Sequence, residues 1–273
     1  MKIAILSDEI SLDFETAVEI GTSWGIQHYE LRNTPSGRVP RCADADIKKI
    51  ADTAKKHGVS ISSISPGLFK CAADAPEVDE GIQETLPKTF GLAESFGTNK
   101  IVIFGFGKPG ASHHEMIAHD GSTYPQLVID RLGQMAQKAE AAGMMLYLEN
   151  EAVCWADTGP NTGDILRKVD SKHMKLNWDP CNARTCGATP YPDGYEQIRD
   201  LIEHLHIKDQ KQDNGKRQVV PIGEGDIDWR GQLGALRRDG YDGYYVVETH
   251  FRPKVAGSKA CCEALFKMLI EVA

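Results

Sequence analysis

The chain has 273 residues, 41% hydrophobic and 26% charged, enough for a large core in one or two domains. A formal net charge of −8 argues against a nucleic-acid partner, whose phosphate backbone is gripped by lysine and arginine. Seven cysteines without C-x-x-C spacing suit a reducing compartment. The start, MKIAILSDEI, turns acidic too soon for a signal peptide, and no apolar run reaches membrane-span length, so a cytoplasmic location is expected.

Short apolar runs then alternate with helix-like segments. KIAIL (2–6) reads as the first strand, followed by 13–24 with Phe14, Ala17, Val18 and Ile20 at helical spacing. HYELR (28–32) is the second strand, and a helix over 44–57 ends at Gly58. VSISSIS (59–65) is the third, broken by Pro66-Gly67, and a helix over 77–96 stops at Gly97. KIVIFGFG (100–107) is the fourth, with glycines that admit close backbone approach. A helix over 123–142 precedes the fifth strand, MLYLENE (145–151). A shorter helix near 161–169 leads to the sixth, Met174 to Trp178, which Pro180 stops. Another near 193–202 leads to the seventh, EHLHIKD. A polar loop, KQDNGKRQ, then PIGEGDIDW, a helix over 229–238 and the Asp239-Gly240 turn bring the chain to YYVVE, the eighth strand; a helix over 257–272 follows.

Eight strands that read as buried runs, each followed by a helix, imply a parallel sheet covered by helices. Eight such units in about 250 residues is the size of a (β/α)8 TIM barrel, and no G-x-G-x-x-G follows the first strand to suggest a dinucleotide fold. No linker divides the chain, so residues 1–273 are expected to form a single domain.

Glu149, Asp179, His206 and Glu248 close strands five, six, seven and eight, and in such barrels the loops after the strands build the active site. Three carboxylates converging without a cation would repel one another and raise their pKa values. A divalent ion removes that conflict. Oxygen-rich ligation with one imidazole suits Mn²⁺, Mg²⁺ or Co²⁺, and Zn²⁺ also accepts it. Taken singly, each acid reads equally as a helix N-cap or a solvated loop residue; four in register on consecutive strands do not. Cys181 and Cys186 near Asp179 read as buried or incidental thiols rather than ligands.

The strings LYLEN, LNWDPCNA, LHIKD, GEGDIDW and GYDGYYVVETH resemble the xylose isomerase-like TIM-barrel family of sugar phosphate isomerases and epimerases, from Lys2 to about Glu248 and most strongly from Leu146 onward. The resemblance implies one divalent ion, often Mn²⁺, held by Glu149, Asp179, His206 and Glu248, with the two glutamates also serving as an acid/base pair. An ion on two adjacent oxygens of a hydroxy-ketone or hydroxy-aldehyde would polarise the carbonyl and stabilise the enediolate left when the neighbouring C–H proton departs. A proton returned to the opposite face gives epimerisation; one returned to the adjacent carbon gives aldose–ketose isomerisation. Both remain open.

Other residues carry two readings each. Lys208 either contacts substrate, as the lysine of His-x-Lys-Asp often does in this family, or pairs with Asp209. Asn182 stands where many relatives carry a substrate-touching histidine, which removes a possible proton carrier. Glu224 reaches the barrel mouth or serves a turn, and His250 binds substrate or sits in the last loop. Glu30 and Arg32 close the second strand, as a substrate- or phosphate-facing arginine or as a rim salt bridge. His113, His114 and His119, with Glu115 and Asp120, invite a second-metal reading, though a solvated lid is the better expectation for so long a loop. Trp178 reads as core.

The expected partner is a small sugar, sugar phosphate or polyol, with no nucleic acid and no membrane; a homo-oligomer is compatible with the sequence. The runner-up is a lyase on a keto-polyol or 3-keto-glycoside, in the manner of an inosose dehydratase, since it begins with the same proton abstraction. An endonuclease IV-type nuclease would need further histidines where Ser65-Pro66, Phe104-Gly105-Phe106 and Asn182 stand. A catalytically silent scaffold would be expected to lack the glutamates, and both are present.

Overall fold

The computed structural model describes residues 1–110, 124–213 and 216–272, so His113, His114 and His119 lie outside the described residues. Eight parallel strands close into a barrel in chain order: β1 (Lys2–Leu6), β2 (His28–Leu31), β3 (Ser60–Ile64), β4 (Lys100–Phe104), β5 (Met145–Glu149), β6 (Met174–Trp178), β7 (Ile202–Ile207) and β8 (Tyr244–Val247), the last pairing with β1. This is the expected (β/α)8 barrel.

The strands are less uniform than their apolar look suggests. Ile5, Tyr29, Leu31, Ile64, Ile103, Leu148, Leu176 and Val247 belong to one large core between the barrel wall and the helices. Fully burying such a side chain is worth roughly 1.5–3 kcal/mol, so this outer ring is the main source of stability. The alternate positions face the barrel axis. There Ala4, Leu6 and Val246 form a small separate apolar floor, while Glu30, Ser63, Asn177, His204 and His206 are buried and polar.

Two register shifts adjust this interior, between Tyr29 and Glu30 where β2 meets β3, and between Leu176 and Asn177 where β6 meets β7. A bulge bends its strand and re-aims the side chains beyond it. Here the first sets Glu30 opposite Ser63, whose hydroxyl donates to Glu30 Oε2 at 2.6 Å.

Two expectations need correction. No regular helix spans 193–202: Pro190–Gly194 forms a wide helical turn interrupted at Tyr191 (φ −136°, ψ 135°), and Ile202 already belongs to β7. Pro190 and Pro192 supply no N–H to a helical ladder. On either side of Asn214 and Gly215, which lie outside the described residues, the supposed loop KQDNGKRQ is strand: Asp209–Asp213 pairs antiparallel with Lys216–Val220. All seven cysteines are free, and no helix among the described residues is long and apolar enough to cross a membrane.

The antiparallel pair is tied to the GEGDIDW segment by Asp209, whose carboxylate accepts the N–H groups of Gly223 (2.8 Å) and Gly225 (3.2 Å) as well as its neighbour Gln210 (2.8 Å). A Cβ at position 225 would overlap Asp209 Oδ1 and the Gln210 carbonyl, both held in place. Gly225→Ala is therefore expected to lower stability by about 1–3 kcal/mol, read from urea unfolding with an unchanged m-value.

Candidate metal centre

The structure brings Glu149, Asp179, His206 and Glu248 together. Each offers a donor atom within 4.8 Å of the others, and all four residues are buried. Glu149 ends β5, and Asp179 and Glu248 each follow their strand by one residue. Asp179 is strapped to the neighbouring strand by Asn150, which accepts its N–H at 2.7 Å and donates to its carbonyl at 2.9 Å. Asp179 Oδ1 caps the short helix Pro180–Thr185 through the Asn182 N–H at 2.9 Å. Cap and candidate ligand are thus one residue: one oxygen holds the helix and the other faces the cluster.

Asn182 turns its amide to the same cluster, donating to Glu149 Oε1 (3.2 Å) and the Asn150 carbonyl (2.8 Å). Asn177 donates to Glu149 Oε2 at 3.3 Å. Asn182 therefore orients a candidate ligand, besides lining the cavity above.

His206 is held from below. Its Nε2 lies 3.1 Å from Glu30 Oε1, and its Nδ1 lies 3.3 Å from both Glu149 Oε2 and Glu248 Oε2 with no hydrogen bond to either. With Nε2 as the donor to Glu30, the Nδ1 lone pair points among the acids; the tautomer follows from these contacts. Glu30 Oε2 also takes His204 Nε2 at 2.9 Å, besides the Ser63 hydroxyl. Glu30 is accordingly inside the barrel, not in a rim salt bridge with Arg32.

Lys208 completes the cluster. Alternation by two puts it on the face of His206, and its ammonium lies 2.8 Å from Asp179 Oδ2 and 3.2 Å from Glu248 Oε2. It does not pair with Asp209, whose carboxylate is engaged by the glycine turn. Burial opposes the charges of Lys208 and His206, yet the surrounding carboxylates outweigh it and raise both pKa values well above normal. Burial pushes Asp179 up to about 6, against the pull of Lys208. Burial also acts to raise Glu248, but Lys208, His250 and His206 hold its carboxyl well below the usual range.

Three carboxylates and one imidazole form a donor set that fits a divalent ion preferring oxygen and nitrogen. His206 Nδ1, buried and facing inward, has no hydrogen-bond partner, a deficit a cation fills, while Asp179 Oδ2 is met by the Lys208 ammonium at 2.8 Å. Cys181 and Cys186 are buried and contribute no donor to this group.

Arg32 lines the cavity and is held by Glu9 (2.8 Å), Asp8 (3.2 Å) and Glu248 (2.5 Å), joining the salt-bridge reading to a place beside the candidate ligands. His250, in a left-handed conformation (φ 54°), puts Nε2 3.1 Å from Glu248 Oε1. Glu224 does not join the site. It is exposed, in a turn closed by its N–H on the Pro221 carbonyl (3.1 Å), because Asp209 gathers the flanking glycines away from the mouth. Trp178 is core, its indole N–H on Gln232 Oε1 at 3.1 Å. Asp8, Glu9, Glu30 and Arg38 are the polar residues whose part the sequence did not disclose. The strand-end rule applied to β1 would have pointed to Asp8 and Glu9; no local signal marks Arg38. Above the cluster opens a cavity of about 590 Å³, a size suited to a small metabolite.

The family description "Xylose isomerase-like TIM barrel" matches residues 18–266. A 3-dehydroshikimate dehydratase of Bacillus anthracis is 29% identical over 117 residues, 43% of this chain and 39% of that protein. The chain spans less than half the length of the curated relatives it matches. A xylose isomerase-like TIM barrel protein from Mycobacterium smegmatis, solved in complex with magnesium, superposes with a TM-score of 0.76 at 19% identity, over 95% of this chain and 89% of that one. An L-ribulose 3-epimerase superposes with a TM-score of 0.73 at 19% identity, over 99% of this chain and 95% of its own. At these identities the structural likeness is one of fold.

Lys208→Met is expected to destabilise the protein in EDTA by about 3 kcal/mol, since it leaves Asp179 and Glu248 buried without their ammonium. Urea unfolding checks this; an unchanged midpoint would mean that the acids are neutral without Lys208.

Proposed function

The chain belongs to the xylose isomerase-like TIM-barrel family, and from that premise we propose that it is a divalent-metal-dependent isomerase or epimerase of a small sugar or sugar phosphate. The observation that carries this reading is His206: its Nε2 on Glu30, its Nδ1 turned between Glu149 and Glu248 without a hydrogen bond. Glu149, Asp179, His206 and Glu248 would hold the ion, with Mn²⁺ first and Mg²⁺, Co²⁺ or Zn²⁺ as alternatives. When bound, the ion supplies Lewis-acid polarisation of the substrate carbonyl and takes up the negative charge that develops there.

The chain's own residues move the proton. Glu149 and Glu248 come from β5 and β8 and reach over the mouth from different sides. One removes the proton beside the carbonyl, and the other returns one to the opposite face or to the neighbouring carbon. Glu149 is held by two neutral amides and Glu248 by Arg32, Lys208 and His250, so the two carboxylates are oriented by different means before substrate arrives. Lys208 adds a fixed positive charge near the developing oxyanion.

A second reading, a dehydratase acting on a keto-polyol, is favoured by the likeness to the 3-dehydroshikimate dehydratase. It uses the same proton abstraction and differs in expelling a leaving group from the next carbon. Among the described residues the Glu149, Asp179, His206 and Glu248 group contains one histidine, which favours a single-ion site over a nuclease-type multi-metal cluster.

Purified protein is expected to bind about one divalent ion per chain, and Glu149→Gln or Glu248→Gln to cut turnover by at least about a hundredfold with the fold intact by circular dichroism. Activity equal to the parent in both variants would remove the acid/base assignment. Glu30→Gln leaves one oxygen for two imidazoles and is expected to weaken metal affinity about 10–100-fold by calorimetry. NMR of candidate ketoses in heavy water separates the two chemistries: a deuteron gained by an intact sugar means isomerisation or epimerisation, a product short of water means dehydration.

A further inference from the structure

We propose that the substrate of this site carries an anionic group, a carboxylate or a phosphate, and that Arg38 receives it. The proposal rests on the metal-centred reading of the site and adds a substrate class to it.

The charges around the cavity do not cancel evenly. Asp8, Glu9 and Glu248 share Arg32, and Glu151 pairs with Lys70 at 2.6 Å. Arg38 lines the same cavity and has no carboxylate within 4.0 Å among the described residues. Among the described residues its guanidinium donates only to neutral oxygens of one residue, Nε to the Ser65 carbonyl and Nη2 to the Ser65 hydroxyl, both at 3.0 Å. The more exposed Arg217 and Arg252 also line the cavity and likewise lack a carboxylate partner among the described residues. In a chain of net charge −8, this mouth carries positive charge that the protein leaves uncompensated.

Arg38 is placed, not incidental. It ends the small hairpin Asn33–Thr34 with Gly37–Arg38 that follows β2, and its guanidinium lies against Gly67, where any Cβ would overlap it. Gly67 is left-handed (φ 70°), so the Pro66-Gly67 break after β3 both turns the chain and leaves room for the arginine. Burial, with Arg32 nearby, pushes the Arg38 pKa down to about 10. It stays charged at neutral pH, with Glu248, Asp8 and Glu149 acting on it from a distance but no carboxylate in direct contact with its guanidinium among the described residues. The planar fork, pinned on one edge by Ser65, suits two-point recognition of a carboxylate or phosphate.

The test uses three ketoses that share one carbonyl end: D-fructose, its 6-phosphate, and the corresponding C6 carboxylate, fructuronate. Binding to the Mg²⁺-loaded protein is measured by calorimetry for the parent chain, Arg38→Gln and Arg38→Lys, with Mn²⁺ titration and thermal melting of each variant confirming an intact ligand cage and fold. At least one charged ketose is expected to bind about tenfold or more tighter than fructose. Arg38→Gln is expected to erase that margin and Arg38→Lys to keep part of it. A margin confined to fructuronate identifies keto acids as the substrate class, and one confined to the phosphate identifies ketose phosphates. Equal affinity for all three, binding of none, or a margin indifferent to Arg38→Gln overturns the proposal. Solvent exchange of the ketose C–H protons is followed separately. Exchange without a charge margin sinks the anion site alone, whereas an Arg38-dependent margin without exchange in any compound sinks the isomerase reading alone.

Discussion

Three carboxylates share a space a few ångströms across, and the rest of the structure is arranged so that they can. Two like charges 4 Å apart cost about 4 kcal/mol at an effective dielectric near 20. Three such pairs approach the entire net stability of a typical domain. Within the chain, the imidazole of His206 and the ammonium of Lys208 stand between the acids and offset that repulsion. Burial disfavours a proton on either, and the surrounding carboxylates outweigh it, raising both pKa values well above normal; a bound metal would take the place of the proton on His206 Nδ1. The arrangement is mutual, and removing either sign leaves the other stranded.

A barrel makes such a cluster possible by separating two tasks. The outward faces of the strands carry the apolar side chains and meet the helices, and this ring supplies the burial that folding requires. The inward faces are then released from that duty. From the apolar floor of Ala4, Leu6 and Val246 the interior turns polar, through Glu30, Ser63 and His204, and ends in the candidate ligands. The bulges in β3 and β7, at Ser62 and Glu203, adjust that interior.

The polar residues around the cluster serve more than one purpose. Asp179 caps a helix with one oxygen and faces Lys208 with the other. Arg32 links the acids after β1 to Glu248 after β8 and so helps close the barrel where the last strand meets the first. Arg38 is the exception. Its hydrogen-bond acceptors are both neutral, and with no carboxylate in direct contact among the described residues its charge is the feature that points outward, to whatever enters the cavity.

The architecture and the four converging residues were legible along the chain, because both follow from period: eight apolar runs at regular spacing, and a polar residue closing each of the last four. Helix ends at Gly58 and Arg238 were equally readable, being governed by local chemistry. Glu30 was visible as a strand-end acid but not as the partner of His204 and His206, since 174 and 176 residues separate them and only barrel closure with its bulges makes them neighbours. Lys208 looked equally able to pair with Asp209, until the glycine turn claimed that carboxylate. Glu224 looked able to enter the mouth, and the same turn kept it out. Sequence determined which elements form and which residues finish them, because those choices depend on neighbours a few positions away. Tertiary structure alone decided which charges are paired and which are left over, because a charge is satisfied by whatever lies within about 4 Å, wherever in the chain it comes from.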